Sequence, residues 1–296
     1  MKAWEEPPEQ LWRVLTYTAG RVIGLINPQF RGRRGAELRR ILPHAAHNLR
    51  RIVLRTRGVV IISSPKSGRT WLRFMLDRLG LHVQYTHAFG ALSVPTDLPR
   101  RMILLHRDPR DTVVSAWFQH RKRRKDYDGS LSEFLRDPLL GIEQRVLFNL
   151  FWAEQVHMAG GCIIAYEDLH IDPVGALTRI ATFIARKAPQ PMRVRSAIAD
   201  GAFDRMRAVE ASGEGARLYG NALRPSDAAD PDSYKTREGK IGGWLVHFSA
   251  EDTAFADEAM RRHDYSHRMA NYRCAGGGLE PDPMDLPTRP LRPNAS

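Results

Sequence analysis

One short segment places a lysine and three hydroxyl side chains between an apolar run and a helical pattern. Residues 64–70 read SPKSGRT. The β-branched run VVII at residues 59–62 predicts a strand buried on both faces. Apolar residues at positions 72, 75, 76 and 79 predict one face of a following helix. Unpaired N–H groups and the positive end of the helix dipole gather at such a helix start, so with Lys66 they predict a phosphate-binding loop.

A second segment repeats the same strand, loop and helix order. Residues 102–118 read MILLHRDPRDTVVSAWF, in which Asp108 and Pro109 are suited to the first turn of a helix. Arg107 leaves the end of the strand, where ligands of open α/β sheets bind, and its guanidinium can hold a phosphate through two hydrogen bonds. Ser115 lies on a different side of the helix from its apolar residues. Two strand–loop–helix units with basic residues at the loop disfavour the interpretation of Arg107 and Ser115 as plain surface residues.

The first segment differs from the phosphate loop of nucleoside triphosphatases. That loop follows the pattern G-x-x-x-x-G-K-[ST], whereas here the lysine precedes the glycine. A kinase or GTPase would also need a carboxylate to hold Mg²⁺, and no acidic residue is a convincing candidate. The pattern therefore disfavours a metal-bound triphosphate, and no metal site is expected. A small-molecule or nucleoside kinase on a related fold remains the alternative enzyme.

The rest of the chain predicts an α/β fold with three layers, α/β/α, around a central parallel sheet. Strand-like runs at 58–63, 102–105 and 162–166 alternate with helical stretches, which is typical of parallel strands joined by crossover helices. Residues 1–57 form a basic helical extension, 58–272 the main domain, and 273–296 a tail rich in glycine and proline that we expect to be disordered.

Composition narrows the class of partner. The chain has 45 Lys and Arg against 33 acidic residues, so an anionic ligand, a nucleic acid or a membrane surface would each suit its charge. Only 2 cysteines are present, which disfavours a disulfide framework and indicates a reducing compartment. The first residues lack a signal-peptide pattern, and no apolar run is long enough to span a bilayer. We therefore expect a cytoplasmic protein.

Several motifs, in order from about residue 58 to 266, resemble the cytosolic type of sulfotransferase. SPKSGRTW is similar to the family loop P-K-S-G-T-T-W, and HRDPRDTVVSAWF is similar to R-N-P-K-D-x-x-V-S. YEDLHIDP, GAFDRMR and REGKIGGW resemble three further family segments. Each motif alone is weak, but their joint order is specific. The resemblance implies the P-loop NTPase-like sulfotransferase fold.

The same resemblance implies in-line transfer of a sulfuryl group from 3′-phosphoadenosine 5′-phosphosulfate (PAPS) to an acceptor hydroxyl or amine. Lys66 would neutralise charge on the bridging oxygen as its bond to sulfur breaks, and the family equivalent of Ser115 pairs with that lysine. Trp71 and Phe203 match positions that enclose the adenine, and Tyr166 matches one at its edge. The full donor-binding set implied is Lys66, Ser67, Gly68, Arg69, Thr70, Trp71, Arg107, Ser115, Tyr166, Phe203, Arg237 and Gly239.

His87 is the residue that the resemblance offers as a base. QYTHAFG resembles the family stretch K-T-H-L-P, with Tyr85 in place of its lysine. A neutral imidazole can take a proton from an acceptor near neutral pH. The predicted catalytic residues are thus Lys66, His87 and Ser115. His44, His47 and His170 are interpreted as structural.

Some positions depart from the family pattern. Arg69 replaces a threonine, Ala202 replaces the serine before Phe203, and Glu238 replaces the lysine after Arg237. A carboxylate beside a 3′-phosphate would repel it, so we expect Glu238 to point away from the site.

The acceptor is not specified by these patterns, because acceptor loops vary freely on one scaffold. A small molecule, a lipid or a carbohydrate is expected, and a nucleic acid is not. Residues 1–57 fit two interpretations, helices packed on the core or a peripheral contact with the inner membrane face. A basic nucleic-acid or membrane-binding protein without catalysis is the second alternative to the transferase. The oligomeric state stays open.

Overall fold

The computed structural model describes residues 59–87 and 101–275. The predictions for residues 1–57, including His44 and His47, and for residues 276–296 lie outside this part of the chain. Within it, no helix has the length and apolar character required to cross a membrane.

A parallel four-stranded sheet forms the centre of the molecule. Its strands are β1 (Val59–Ser63), β2 (Gln84–Thr86), β3 (Arg101–His106) and β4 (Cys162–Ala165). Their order across the sheet is β2-β1-β3-β4, and every pair is parallel. The predicted parallel sheet is confirmed. The sequence analysis did not predict β2, which is too short to show a period.

Helices follow the strands in chain order. Helix α1 follows β1 and α2 follows β3, so each predicted loop joins a strand directly to a helix. The helices are α1 (Arg69–Arg78), α2 (Pro109–Phe118), α3 (Leu131–Arg136), α4 (Ile142–Met158), α5 (Asp168–Ile171), α6 (Pro173–Ala185), α7 (Pro191–Asp200), α8 (Phe203–Ala211), α9 (Glu214–Tyr219), α10 (Ala250–Arg262) and α11 (Tyr265–Ala275). Helix α11 continues past residue 272, where the sequence analysis ended the main domain.

The two faces of the sheet are covered by different helices. Val60 and Ile62 point into one core, which includes α4 residues such as Val146 and Trp152. Val59 and Ile61 point into the other core, with side chains of α1, α6 and α7. This period of two explains why the strand is apolar at every position. The structure therefore has the three predicted layers.

The strand order reverses direction at β1, since β2 lies on one side of it and β3 on the other. Open α/β sheets bind ligands at the carboxyl ends of strands beside such a switch point. The loops after β1 and β3 meet there.

Candidate active site

The loop after β1 has a backbone shape suited to an anion. Lys66 and Gly68 both adopt positive φ, at 77° and 86°. A left-handed residue turns neighbouring N–H groups toward one point, which forms an anion-binding concavity. Gly68 is the N-cap of α1, and no side chain in the described ranges caps that helix. The first N–H groups of α1 are therefore available to a ligand.

The start of α2 shows the opposite arrangement. The carboxylate of Asp108 accepts a hydrogen bond from the backbone N–H of Arg110 at 2.8 Å. This helix start is already occupied by an acid of the protein. The hydroxyl of Ser67, by contrast, is buried and has no hydrogen-bond partner within the described residues. The two loops thus differ, and an anion is best accommodated at the first.

Tyr166 joins the two loops. A Cβ atom at Gly68 would lie 2.4 Å from the Cδ2 atom of Tyr166, so only glycine fits beside this ring. The guanidinium carbon of Arg107 lies over the same ring, 4.2 Å from its centroid. The N–H of Tyr166 donates to the carbonyl of His106 at 2.7 Å, which holds the ring at the end of β3. Tyr166 therefore fixes the spacing between the loop of Lys66 and Arg107.

Arg107 is held by a segment distant in sequence. Its Nη2 atom donates to the carbonyl oxygen of Lys240 at 2.8 Å and lies 3.3 Å from a carboxylate oxygen of Asp111. Asp111 also accepts from the N–H groups of Gly242 and Trp244, at 2.9 and 3.1 Å. A single buried carboxylate thus attaches the segment of Arg237 to α2.

Arg237 and Glu238 form an ion pair in this segment. A carboxylate oxygen of Glu238 contacts Nη1 of Arg237, and the guanidinium of Arg237 lies 3.9 Å from the ring centroid of Phe118. Glu238 also contributes to the cavity wall. The structure therefore differs from the expectation that Glu238 points away, because the adjacent arginine attracts its carboxylate.

Trp71 and Phe203 are distant in sequence but line the same cavity. The indole Nε1–H of Trp71 donates to the carbonyl of Gly201 at 2.7 Å, which fixes the ring at the start of α1. Phe203 packs on Gly239, where an added Cβ would lie 2.8 Å from the Phe203 ring. Phe203 remains 39% exposed. Both residues are thus part of the same cavity wall.

His87 follows β2 directly and reaches β1. The register pairs Ile62 with Thr86, so the two carboxyl ends lie side by side. The Nδ1 atom of His87 lies 2.5 Å from the carbonyl oxygen of Ser63. Loss of water and the charge of Arg69 lower the pKa of His87 to about 3, although its hydrogen bond to Ser63 opposes the shift. The imidazole is therefore neutral at physiological pH.

Lys66 lies among other cations. Burial lowers its pKa well below the usual range, and the charges of Lys235, Arg123 and Arg107 lower it further. Glu210 is the acid that opposes this shift. Such a concentration of positive charge is costly without an anion, so it favours binding of one.

These groups line one cavity of about 290 Å³. Every predicted site residue except Ser67 lines it, including Thr70, Ser115, Tyr166 and Gly239. Ser67 lies in the same loop, with its side chain buried behind it. Lys66 and Ser115 share the wall, but no hydrogen bond joins them in the described part of the structure.

A family model for the sulfotransferase domain matches residues 86–272, more than half of the chain. The chain belongs to the sulfotransferase family. The predicted family is confirmed.

Two curated relatives show how distant this sulfotransferase is from them. It is 24% identical to human sulfotransferase 2B1 over 252 residues, which cover 71% of this chain and 66% of the relative. It is 27% identical to the mouse protein of the same name over 169 residues, covering 54% of this chain and 47% of the relative. The matched regions span just under two thirds of the human protein and about half of the mouse protein.

Solved structures share the fold. Mouse sulfotransferase SULT7A1, complexed with PAP, aligns with a TM-score of 0.54 and 19% identity over 73% of this chain and 88% of its own. Retinol dehydratase, in a complex with retinol and PAP, aligns with a TM-score of 0.53 and 18% identity over 75% of this chain and 85% of its own. The predicted sulfotransferase fold is confirmed.

Several cavity residues of this sulfotransferase were missed by the sequence analysis. His170, interpreted as structural, lines the cavity with its ring 4.8 Å from that of Trp71 and 4.6 Å from that of Tyr166. The YEDLHIDP motif contains it, so the motif itself was the available signal. The others that matter for charge are Asp111, Lys235 and Lys240.

Proposed function

We propose that this chain transfers the sulfuryl group of PAPS to a hydroxyl group of a small-molecule acceptor. One observation carries the proposal. Cationic side chains at the ends of β1 and β3 open into one cavity, beside a neutral histidine that can accept a proton. The donor has anionic groups at both its 5′ and 3′ ends, which matches two separate cationic regions.

The loop after β1 fits the 5′ end of the donor. The uncapped start of α1, the buried hydroxyl of Ser67 and the ammonium group of Lys66 are all suited to oxygen atoms of an anion. Arg69 and Thr70 stand in the first turn of α1 and line the same cavity. These groups would hold the donor without a metal ion.

The opposite end of the cavity fits a 3′-phosphate. Arg107 is fixed by Lys240, Asp111 and Tyr166, so little side-chain entropy is lost when it binds an anion. Ser115 and Gly239 would donate from α2 and from the facing segment. Trp71 and Phe203 would contact the faces of the adenine, and Tyr166 its edge.

In PAPS the sulfuryl group is bonded to an oxygen of the 5′-phosphate, and this phosphate is a good leaving group. Lys66 would bind that oxygen and stabilise the charge that develops on it. A preorganised cation in a site with little water is worth about 3–4 kcal/mol in such a role. Ser115, which lines the same cavity, would contact that lysine when the donor is bound.

His87 would act on the acceptor. A carbonyl oxygen only accepts hydrogen bonds, so the contact with Ser63 requires the proton of the neutral imidazole to be on Nδ1. The lone pair is then on Nε2, which can take the proton of an acceptor hydroxyl. Anionic groups of a bound donor would offset the positive charges around His87 and raise its pKa toward a useful value.

The proposed acceptor is a small molecule with a hydroxyl group on an apolar body. Buried Val114, Met206 and Leu223 line the cavity together with the cations. Retinol dehydratase was solved with retinol and with androsterone, which are molecules of that kind.

Calorimetry with 3′-phosphoadenosine 5′-phosphate (PAP) tests the donor site. We expect binding that is equal in EDTA and in magnesium, and weaker binding of ATP. Incubation with ³⁵S-labelled PAPS and a set of phenols, sterols, sugars and lipids should label at least one hydroxyl acceptor. Tighter binding of ATP, with magnesium-dependent turnover, would instead support the kinase alternative.

A further inference from the structure

Lys235 is a second lysine in the cavity, and nothing in the motifs described above assigns it a function. It precedes the segment of Arg237 and lines the same wall as Lys66 and His87. Its side chain is partly buried, which is uncommon for a lysine without a role or a partner.

The backbone around Lys235 is fixed by a buried acid. Glu210, on α8, has no exposed surface, and its carboxylate oxygens accept from the N–H groups of Lys235 and Thr236 at 2.7 and 2.9 Å. Arg207, one turn earlier on α8, donates to the carbonyl oxygen of Thr236. The carboxylate of Glu210 thus fixes the backbone of Lys235, a residue that lines the cavity.

The charge of Lys235 acts on the lysine proposed to bind the leaving group and on the histidine proposed as the base. It lowers the pKa of Lys66, after burial, and it also lowers the pKa of His87, after burial and Arg69. The pKa of Lys235 itself falls to about 8, through burial and then the charges of Arg123 and Arg69. Lys235, Lys66 and His87 also line the same cavity, so the charge of Lys235 is available to both the proposed leaving-group residue and the proposed base.

We propose that Lys235 is a catalytic residue that binds the nonbridging oxygens of the sulfuryl group during transfer, in the cavity that it lines together with Lys66 and His87. This inference rests on the proposed function. The bond between sulfur and the bridging phosphate oxygen breaks, and its electron pair stays on that oxygen beside Lys66. A bond forms between sulfur and the acceptor oxygen, whose proton passes to Nε2 of His87. Lys235 stabilises the oxygens of the group in motion and exchanges no proton.

The variant Lys235→Met removes the charge and keeps most of the side-chain volume. Because PAP lacks the sulfuryl group, its dissociation constant should change less than threefold by calorimetry. Turnover of PAPS at saturation should fall about 10²–10³-fold, the usual effect of removing one transition-state contact. Exogenous methylammonium should restore part of the turnover of Lys235→Ala, which leaves space for a small amine, and Lys235→Arg should retain more than a tenth of the wild-type rate.

The control is Lys187→Met, which removes an exposed lysine outside the cavity and should leave both quantities unchanged. If PAP affinity falls as much as turnover, or if turnover of Lys235→Met equals that of the wild type, Lys235 has no contact with the sulfuryl group. If Lys235→Met does not fold, the rates of Lys235→Arg and Lys66→Arg are compared instead. Equal rates of these two variants on every acceptor would refute a role of Lys235 that is distinct from that of Lys66. A wild-type protein that does not bind PAP overturns the proposed function itself, and this inference with it.

Discussion

The Nδ1 atom of His87 lies 2.5 Å from the backbone carbonyl oxygen of Ser63, the last residue of β1. This contact joins the ends of two neighbouring strands and determines which imidazole nitrogen carries the proton. His87 and the loop of Lys66 are therefore positioned by the same strand. Because β1 also leads into Lys66, small movements of the strand would shift the proposed base and the proposed leaving-group lysine together.

Replacing His87 by asparagine should preserve the contact with Ser63 and remove the base. The amide of His87→Asn can still donate to the carbonyl oxygen, so the fold and PAP binding should be retained. Turnover with an alcohol acceptor should fall about 10²–10⁴-fold, whereas an acidic phenol, already partly ionised, should lose much less. A series of rates against acceptor pKa measures this.

The control for that experiment is His82→Asn, which changes a histidine that is 79% exposed and outside the cavity. Its rates should equal those of the wild type. Wild-type rates for His87→Asn on alcohols would show that another group takes the proton.

His87 also predicts a change of stability with pH. Burial, and then Arg69, lower its pKa in the folded protein to about 3, whereas the unfolded value is about 6.5. Between these values only the unfolded chain binds the proton, so acid lowers the free energy of unfolding by up to about 1.4 kcal/mol per pH unit. His87→Asn lacks this dependence. Urea titrations from about pH 7 to about pH 5 should show the wild type losing stability relative to the variant. A difference that is constant with pH would contradict the shifted pKa.

Gly68 and Gly213 provide a matched pair for testing the phosphate loop. Their φ angles are 86° and 78°, but a Cβ at Gly68 would lie 2.4 Å from Tyr166, whereas one at Gly213 would meet nothing within 4 Å. Both alanine variants should lose about 1–2 kcal/mol of stability through backbone strain. Only Gly68→Ala should also lose PAP binding, by tenfold or more, because Tyr166 must move. If calorimetry gives Gly68→Ala and Gly213→Ala equal affinities for PAP, the loop does not hold the 5′ end of the donor.

The sequence predicted those parts of the molecule that are local in the chain. The apolar runs of β1, β3 and β4 are buried on both faces, so their composition alone marks them, and the loop of Lys66 is contiguous with β1. The three-residue strand β2 has no such pattern, and its position depends on pairing with β1.

The parts that the sequence did not predict depend on long-range contacts. Lys235 is held at the cavity by Glu210, which is 25 residues earlier in the chain. Asp111 holds the N–H of Gly242, 131 residues later. An acid that binds backbone N–H groups leaves no periodic signal, because its partners carry no side-chain signature. The roles of the predicted site residues stay predictions until they are measured.

Arg107 should be needed for the 3′-phosphate in particular. Arg107→Lys keeps the charge and loses the planar pair of donors, so PAP binding should weaken by about 1–3 kcal/mol. Adenosine 5′-phosphate, which lacks the 3′-phosphate, should bind equally to variant and wild type. The control is Arg110→Lys in the first turn of α2, since Arg110 contacts Asp108 and Asp257 instead. Equal losses for both nucleotides would mean that Arg107 acts only through its contacts with Lys240 and Tyr166.

Glu238 should reduce the affinity for the donor, because its carboxylate pairs with the guanidinium of Arg237, which would otherwise contact the 3′-phosphate. Its carboxylate pairs with Nη1 of Arg237, and Asp232 lies 3.8 Å from the same atom. A phosphate entering there meets a like charge, and one unit charge at about 4 Å costs about 1 kcal/mol or more, depending on the local dielectric. Glu238→Gln keeps the shape and removes the charge. It should therefore bind PAP about fivefold or more tightly.

The gain in Glu238→Gln should shrink as salt rises, since the repulsion is screened. It should be absent for adenosine 5′-phosphate, and absent in Glu258→Gln, which removes an exposed charge on α10. Calorimetry at two salt concentrations measures all of these. If Glu238→Gln instead weakens PAP binding, then Glu238 holds Arg237 in the orientation that the phosphate requires. The glutamate would in that case replace the lysine of the family pattern as an anchor for the arginine, and its charge would stabilise the site before the donor enters.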